Sequence, residues 1–247
     1  MVPKGGLFIK KGLEIRKRRV DGFYSLNDKA DFYADNLRLE NGLYSFDYHG
    51  RNGDILNLKL GVPGMVNVEN AVAAITVALD CGVTADEIRA ALPEFKGVHR
   101  RFNIISASED LILIDDYAHH PTEISVTLKA ARQTQPKRLI CAFQPHRYTR
   151  TKLLFDEFSR CFADCDQLIL TDIYSAGEFP IDGVSGASLA EAVSEATQQQ
   201  VTFIPTLPKL EEYLFKIAEP GDLIMTVGAG DIFKVGEELV TELERGR

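Results

Sequence analysis

Two hydrophobic rhythms divide the chain. Up to about residue 65 the apolar positions come in short alternating runs, and Leu43-Tyr-Ser-Phe-Asp-Tyr48 and Ile55-Leu-Asn-Leu-Lys-Leu60 flank Gly50-Arg-Asn-Gly53. Alternation with period two is the mark of a half-buried strand, and Asn52-Gly53 is a strong hairpin-turn dipeptide, so an antiparallel pair is predicted here. A nearly continuous small and apolar segment follows, Asn67 to Cys81, which predicts a helix with Gly82 as its left-handed cap. Thr84 and Glu87 then carry the spacing of a capping box, opening a second helix that ends near Leu92-Pro93.

From Phe102 onward the pattern changes. Predicted strands are Phe102–Ala107, Leu111–Asp115, Arg138–Phe143, Gln167–Thr171, Val201–Ile204 and Asp222–Val227. Predicted helices between them are Pro121–Gln133, Thr151–Phe162, Ser188–Thr197, Pro208–Ala218 and Ile232–Arg247. Runs such as Leu139-Ile-Cys-Ala-Phe143 and Leu168-Ile-Leu170 do not alternate, as befits strands covered on both faces. The fold class is α/β, a Rossmann-like open and mainly parallel sheet with helices on both faces. The first pair, turning at Ser108-Glu-Asp110, is expected to be antiparallel or to form a sheet edge. Glu94-Phe-Lys-Gly-Val-His-Arg-Arg101 breaks the rhythm and divides the chain into domains 1–97 and 98–247.

Composition narrows the function classes. At 247 residues with 45% apolar and 26% charged residues, the chain has the make-up of a soluble globular protein of one large or two modest domains. A net charge of −8 argues against a duplex-nucleic-acid binder, which neutralises phosphate with an excess of Lys and Arg. The longest strongly apolar stretch, Ala71 to Leu79, is nine residues, well short of the about twenty a membrane-spanning helix needs. Met1–Lys10 lacks the order of a signal peptide, so the expected compartment is the cytoplasm. Cys81, Cys141, Cys161 and Cys165 are scattered and read as structural thiols, the last two four apart on one buried helical face. The basic cluster Lys10-Lys11 and Arg16-Lys-Arg-Arg19 lies close in sequence to Asp28, Asp31 and Asp35 and reads as a solvated strand face rather than an anion site.

In open α/β sheets the chemistry sits on loops leaving the carboxyl ends of strands. Four such loops are unusually polar: Asp115-Asp-Tyr-Ala-His-His-Pro-Thr122, Gln144-Pro-His-Arg-Tyr-Thr-Arg150, Asp172-Ile-Tyr-Ser-Ala-Gly-Glu178 and Gly228-Ala-Gly-Asp231. Arg147 and Arg150, three apart at a helix entrance, suit a carboxylate or phosphate. One of Asp115 and Asp116 is expected to cap the segment that follows. His119-His120 is a poor zinc pair, since adjacent residues do not easily face one ion and no cysteine is nearby. Gly228-Ala-Gly230 lacks the third glycine of a dinucleotide fingerprint, that position being Phe233, and reads as a tight strand-to-helix turn.

Read together, these loops resemble the Mur ligases. Asp115-Asp-Tyr-Ala-His-His-Pro-Thr-Glu123 and Phe143-Gln-Pro-His-Arg-Tyr-Thr-Arg-Thr151 match the family's C-terminal-domain motifs, and Asp172–Glu178 and Gly228–Ile232 follow in order. Gly61-Val-Pro-Gly-Met-Val-Asn-Val-Glu-Asn-Ala71 resembles the central-domain segment that reaches adenine. A departure is Val66, where many members carry histidine. The resemblance implies that residues 1–97 are the latter part, a hairpin and helices, of a central ATPase domain, and that 98–247 are the complete C-terminal domain. It implies an ATP-dependent amide-forming ligase of peptidoglycan precursor synthesis that activates the lactyl carboxylate of UDP-N-acetylmuramate as an acyl phosphate for attack by L-alanine. The family's phosphate-binding loop and Mg2+ ligands would lie upstream, so no metal-ligating residue is expected here and the chain alone is expected to be inactive. By the same resemblance Asn67 and Asn70 meet the adenine, Arg101 the nucleotide phosphates and Asp116 the ribose. Tyr117, His119, His146, Arg147 and Arg150 form the amino-acid site, with Arg101, Asp116 and His119 closest to the chemistry. Closure about Lys96–Arg101 would assemble the site, and a homodimer is compatible with it. A ligase that recycles a tripeptide is the nearest rival, though Gln144–Arg150 fits the alanine enzyme better. A non-catalytic binding module is the other.

Overall fold

The computed structural model describes residues 9–11, 21–26, 29–107 and 111–245, so Arg16–Arg19, Asp28 and the turn at Ser108–Asp110 lie outside the described residues. The chain divides into two compact units, 1–97 and 98–247.

In the first unit, strands β1 (Ile9–Lys11), β2 (Gly22–Ser25), β3 (Phe32–Glu40), β4 (Leu43–His49) and β5 (Ile55–Lys59) form one sheet in that order. The β3–β4 and β4–β5 pairs are antiparallel, with Gly53 donating to Gly50 O at 3.1 Å in the expected turn. Helices α1 (Met65–Asp80) and α2 (Ala85–Glu94) cover the sheet. Phe46, Leu58, Val68 and Val72 are wholly buried in the core between them. Thr84 and Glu87 close the capping box, and α1 ends with Gly82 at φ 87°, its N–H on Leu79 O and that of Val83 on Ala78 O.

In the second unit, β6 (Asn103–Ala107), β7 (Leu111–Asp116), β8 (Arg138–Phe143), β9 (Gln167–Leu170), β10 (Val201–Phe203) and β11 (Asp222–Val227) are ordered β10-β9-β8-β11-β7-β6. All neighbours are parallel except β6, an antiparallel edge strand, as its hairpin pattern predicts. The continuous apolar runs are explained by two cores. Leu139, Cys141 and Phe143 of β8 face one cluster while Ile140 and Ala142 face the other. The first cluster is covered by α3 (Pro121–Gln133) and α6 (Gly186–Thr197), and the second by α7 (Leu207–Ile217) and α8 (Phe233–Arg245).

Two expectations need correction. The segment Thr151–Phe162 is not one helix: α4 (Tyr148–Leu153) stops at Leu154, α5 (Phe155–Phe158) is a single turn, and irregular turns follow. Packing overrides local propensity here, because the break lets the Phe158 and Phe162 rings sit 5.7 and 5.2 Å from that of Phe143. Cys161 and Cys165 are therefore buried on turns rather than on a helix face, and Cys81 is exposed.

Candidate active site

β11, the last strand among the described residues, is inserted between β7 and β8, so the loops leaving β7, β8, β9 and β11 emerge side by side. Main-chain bonds lock them together: Gly228 N to Asp116 O at 2.9 Å, Gln144 N to Val227 O at 3.0 Å, and Arg147 N to Tyr174 O at 2.8 Å. The Gln144 side chain spans two of them, donating to Asp231 Oδ1 at 3.0 Å and accepting from Ile232 N at 3.2 Å. Gly230 permits that approach, since a Cβ there would overlap Gln144 Oε1 and the Tyr174 side chain. This is the tight strand-to-helix turn expected of Gly228-Ala-Gly230.

The paired aspartates point inward. Asp116 is 5% exposed; its Oδ2 accepts from Phe102 N at 2.9 Å and Thr127 Oγ1 at 2.7 Å, and its Oδ1 from Ala118 N at 2.8 Å. These three internal donors tie the loop to Phe102, which precedes β6, and to α3. Neither aspartate caps α3, whose N-cap is His120, with its ring Nδ1 3.3 Å from Thr122 N. Asp115 is held by Arg100 Nε at 3.1 Å and Thr226 Oγ1 at 3.0 Å. Burial pushes its carboxyl up and Arg100 pulls it back down, leaving it above its ordinary value.

The five residues of the expected amino-acid site do converge. The Tyr117 and His119 rings meet edge to face at 5.4 Å, His119 and His146 lie 6.4 Å apart, and His146 stacks on Tyr174 at 5.5 Å. His119 Nδ1 lies 3.0 Å from Tyr117 O and, a carbonyl being an acceptor, donates to it, which sets the ring orientation and turns Nε2 away from the Tyr117 carbonyl. Arg150 Nη1 reaches His146 Nδ1 at 3.2 Å. Burial, then Arg150 and Arg147, hold the His146 imidazole below its ordinary value, so it is neutral and accepts that bond. The backbone of Arg147 sits at φ 72°, unusual for a residue with a side chain, and its guanidinium is half exposed.

Two further carboxylates lie here, Glu123 in the first turn of α3 and Glu178 on the loop leaving β9. Glu123 accepts from His119 N at 3.1 Å and lies 3.7 Å from both His119 Nδ1 and Arg101 Nη1. Burial pushes the Glu123 carboxyl up, but the His119 amide and the nearby charges outweigh it. Glu178 takes the Thr149 amide at 3.0 Å and hydroxyl at 2.7 Å, so the helix entrance expected to be open to an anion already holds a carboxylate. Those bonds, amide first, hold Glu178 below the usual carboxylate range. Its Oε1 is 3.8 Å from Arg147 Nη1. In sequence the sole sign was spacing: Glu123 follows His119 by four residues. Arg101 projects outward at 49% side-chain exposure.

In the first unit, Asn67 donates to Pro63 O at 2.6 Å and accepts from Asn70 Nδ2 at 3.3 Å, so both amides share one end of α1. Among the described residues no group of three or more His, Cys, Asp and Glu is placed to hold a metal ion, and no helix is long and apolar enough to cross a membrane.

An open, mainly parallel sheet with guanidinium, imidazole and phenol groups gathered at its strand ends defines an α/β protein with a candidate ligand site at those ends. Residues 100–230 match the Mur ligase, glutamate ligase domain, and the chain belongs to that family. It is 43% identical over 90% of its length to the UDP-N-acetylmuramate–L-alanine ligase of Pelotomaculum thermopropionicum, covering 48% of that protein. The crystal structure of UDP-N-acetylmuramate-alanine ligase MurC from Thermotoga maritima superposes with a TM-score of 0.78 at 26% identity, over 92% of this chain and 49% of that one. MurF ligase of Thermotoga maritima, solved with ADP, shares the fold with a TM-score of 0.67 at 17% identity, over 92% and 49% of the two chains. The chain thus spans about half the length of the curated relatives it matches.

Proposed function

We propose that this chain is the C-terminal portion of a cytoplasmic ligase that joins L-alanine to UDP-N-acetylmuramate at the expense of ATP, for peptidoglycan precursor synthesis. The observation that carries the reading is the gathering of Tyr117, His119, His146, Arg147 and Arg150 at the strand ends of a chain 43% identical to such ligases. Arg147 and Arg150 take the L-alanine carboxylate, for which a guanidinium fork is the matching donor. Neutral His146 braces Arg150 without adding charge. His119, its ring oriented by the Nδ1 bond to Tyr117 O, lines the space for the substrate amine, and Tyr117 walls the same space. Arg101 meets the nucleotide phosphates, since its long exposed pair with Glu123 is cheaply exchanged. Asn67 and Asn70 read adenine, whose edge needs both an amide donor and an amide acceptor. ATP supplies the phosphoryl group that activates the carboxylate; the chain's own residues orient the amine and neutralise charge. The phosphate-binding loop and Mg2+ ligands that such a ligase needs are expected elsewhere in a longer protein, and the chain by itself is expected to be inactive.

The polypeptide retrieved from source cells with an antibody to this chain should be about twice its size, because relatives are covered to 48%. Given ATP, UDP-N-acetylmuramate and L-alanine, it should release ADP and form the alanyl conjugate seen by mass spectrometry. Absence of the conjugate sinks the reading, and a preference for a tripeptide over L-alanine replaces it with the recycling ligase.

A further inference from the structure

Arg100 stands beside Arg101 but does something else. Its side chain is 16% exposed and turned into the unit, where Nε binds Asp115 and Nη2 donates to Gly228 O at 2.9 Å and Gly230 O at 3.3 Å. Its guanidinium lies over two rings, Phe233 at 4.3 Å and Tyr117 at 4.9 Å. Its main-chain O also accepts from Tyr117 N at 2.7 Å. One side chain thus reaches the β7 loop, the β11 loop and the start of α8. Its own backbone is left-handed at φ 60°, and Phe102 two residues on is at φ 46°. Such backbone persists where surrounding contacts over-determine it. Here the contacts are those of the Arg100 side chain together with main-chain bonds from Tyr117 N to Arg100 O, Arg101 N to Val98 O at 2.9 Å and Phe102 N to Asp116 Oδ2, and the turn they hold leaves Arg101 exposed over the same Tyr117 ring at 5.7 Å and beside Glu123.

We infer that Arg100 is a positioning residue. By clamping Asp115, Gly228 and Gly230 it sets the Tyr117 ring and aims Arg101, so the amino-acid and phosphate sides of the site share one anchor. A lysine cannot replace it fully, since a point charge cannot serve a carboxylate and two carbonyls in one plane while lying over two rings. This inference rests on the ligase reading for its kinetic consequences, but not for the clamp itself.

Removing Arg100 alone would strand the buried Asp115 charge and endanger folding, so the decisive variant is Arg100→Met with Asp115→Asn, which removes both charges and keeps volume. In the full-length ligase carrying this chain, the pair should leave the melting temperature near that of the parent. The L-alanine KM should rise and kcat should fall, together by about 100-fold, as for a misplaced positioning group, while the KM for UDP-N-acetylmuramate stays put. Arg100→Lys should recover part of the loss. A merely structural role would lower the yield of folded enzyme without moving the L-alanine KM. In the 247-residue chain, amide hydrogen exchange at Tyr117 and Gly228 should rise in the paired variant while that of β9 does not. Unchanged exchange, or kinetic constants within about twofold of the parent, a difference worth well under one tenfold step, overturns the inference. A parent protein that forms no alanyl conjugate overturns the ligase reading instead, and the exchange result still decides the clamp.

Discussion

Arg100 and Arg101 are neighbours in sequence, yet the first makes charge-assisted bonds to a carboxylate and two carbonyls in the interior while the second is 49% exposed with its carboxylate 3.7 Å away. The same contrast separates the acids. Asp115 and Asp116 are almost wholly buried and every bond they make is short, whereas Glu123 and Glu178 stand at the rim beside arginines at 3.7 and 3.8 Å. An inner ring whose charges are fully answered from within fixes geometry, because breaking any of its bonds orphans a buried group. A rim whose pairs are long and solvated can hand its cations to an incoming anion at little cost. Residues of like charge therefore divide by burial into groups that hold the loops and groups that solvent reaches.

The largest effect that would break this division is on stability. Asp116→Ala leaves the Phe102 and Ala118 amides and the Thr127 hydroxyl without their acceptor, and should cost about 3 kcal/mol or more in a denaturant titration. A loss under about 1 kcal/mol would move Asp116 to the rim. Arg147→Ala should do the reverse: stability within about 0.5 kcal/mol of the parent, and an L-alanine KM raised on the order of 10-fold or more through loss of a charge-assisted bond. An unchanged KM would remove Arg147 from the amino-acid site.

The smallest effect sharpens the comparison from the first unit, where His49 sits between Asp35 at 2.9 Å and Asp54 at 3.1 Å and stacks on Tyr33. Burial pushes its imidazole down, but the two carboxylates outweigh burial and raise it above its ordinary value. A raised folded value means that the stabilisation is complete below the unfolded-state pKa of about 6.5, and is lost as pH climbs through the folded one. Because both acids are more than half exposed, the change should stay under about 1 kcal/mol. Unfolding curves across this range should show it and His49→Gln should lack it; an equal slope in the variant would assign the effect elsewhere.

Much of the architecture was legible because burial on two faces leaves a trace in composition: β8 and β11 lie where continuous apolar runs place them, and the capping box at Thr84 marks α2 to the residue. The break at Leu154 was not legible, since Leu153-Leu-Phe155 satisfies helix propensity and only the demand of Phe143 for ring contacts interrupts it. Of the site, the loops and the convergence of Tyr117, His119, His146, Arg147 and Arg150 were readable. The direction of each charge was not. Nothing in the sequence says that both Asp115 and Asp116 turn inward, and nothing in Arg100-Arg101 says which of the two does, because that depends on left-handed backbone at Arg100 and Phe102, which non-glycine residues rarely adopt.

The place of β11 bears on how the protein is made. The strand that separates β7 from β8 is encoded more than a hundred residues after the first of them. During synthesis the second unit must wait with two long apolar strand edges unpaired until residue 227 has left the ribosome. Contacts so distant in sequence close late and slowly, and open edges recruit one another in the interval. The second unit is therefore most open to misassociation before β11 has paired, and a formed site certifies that β11 is in place between β7 and β8.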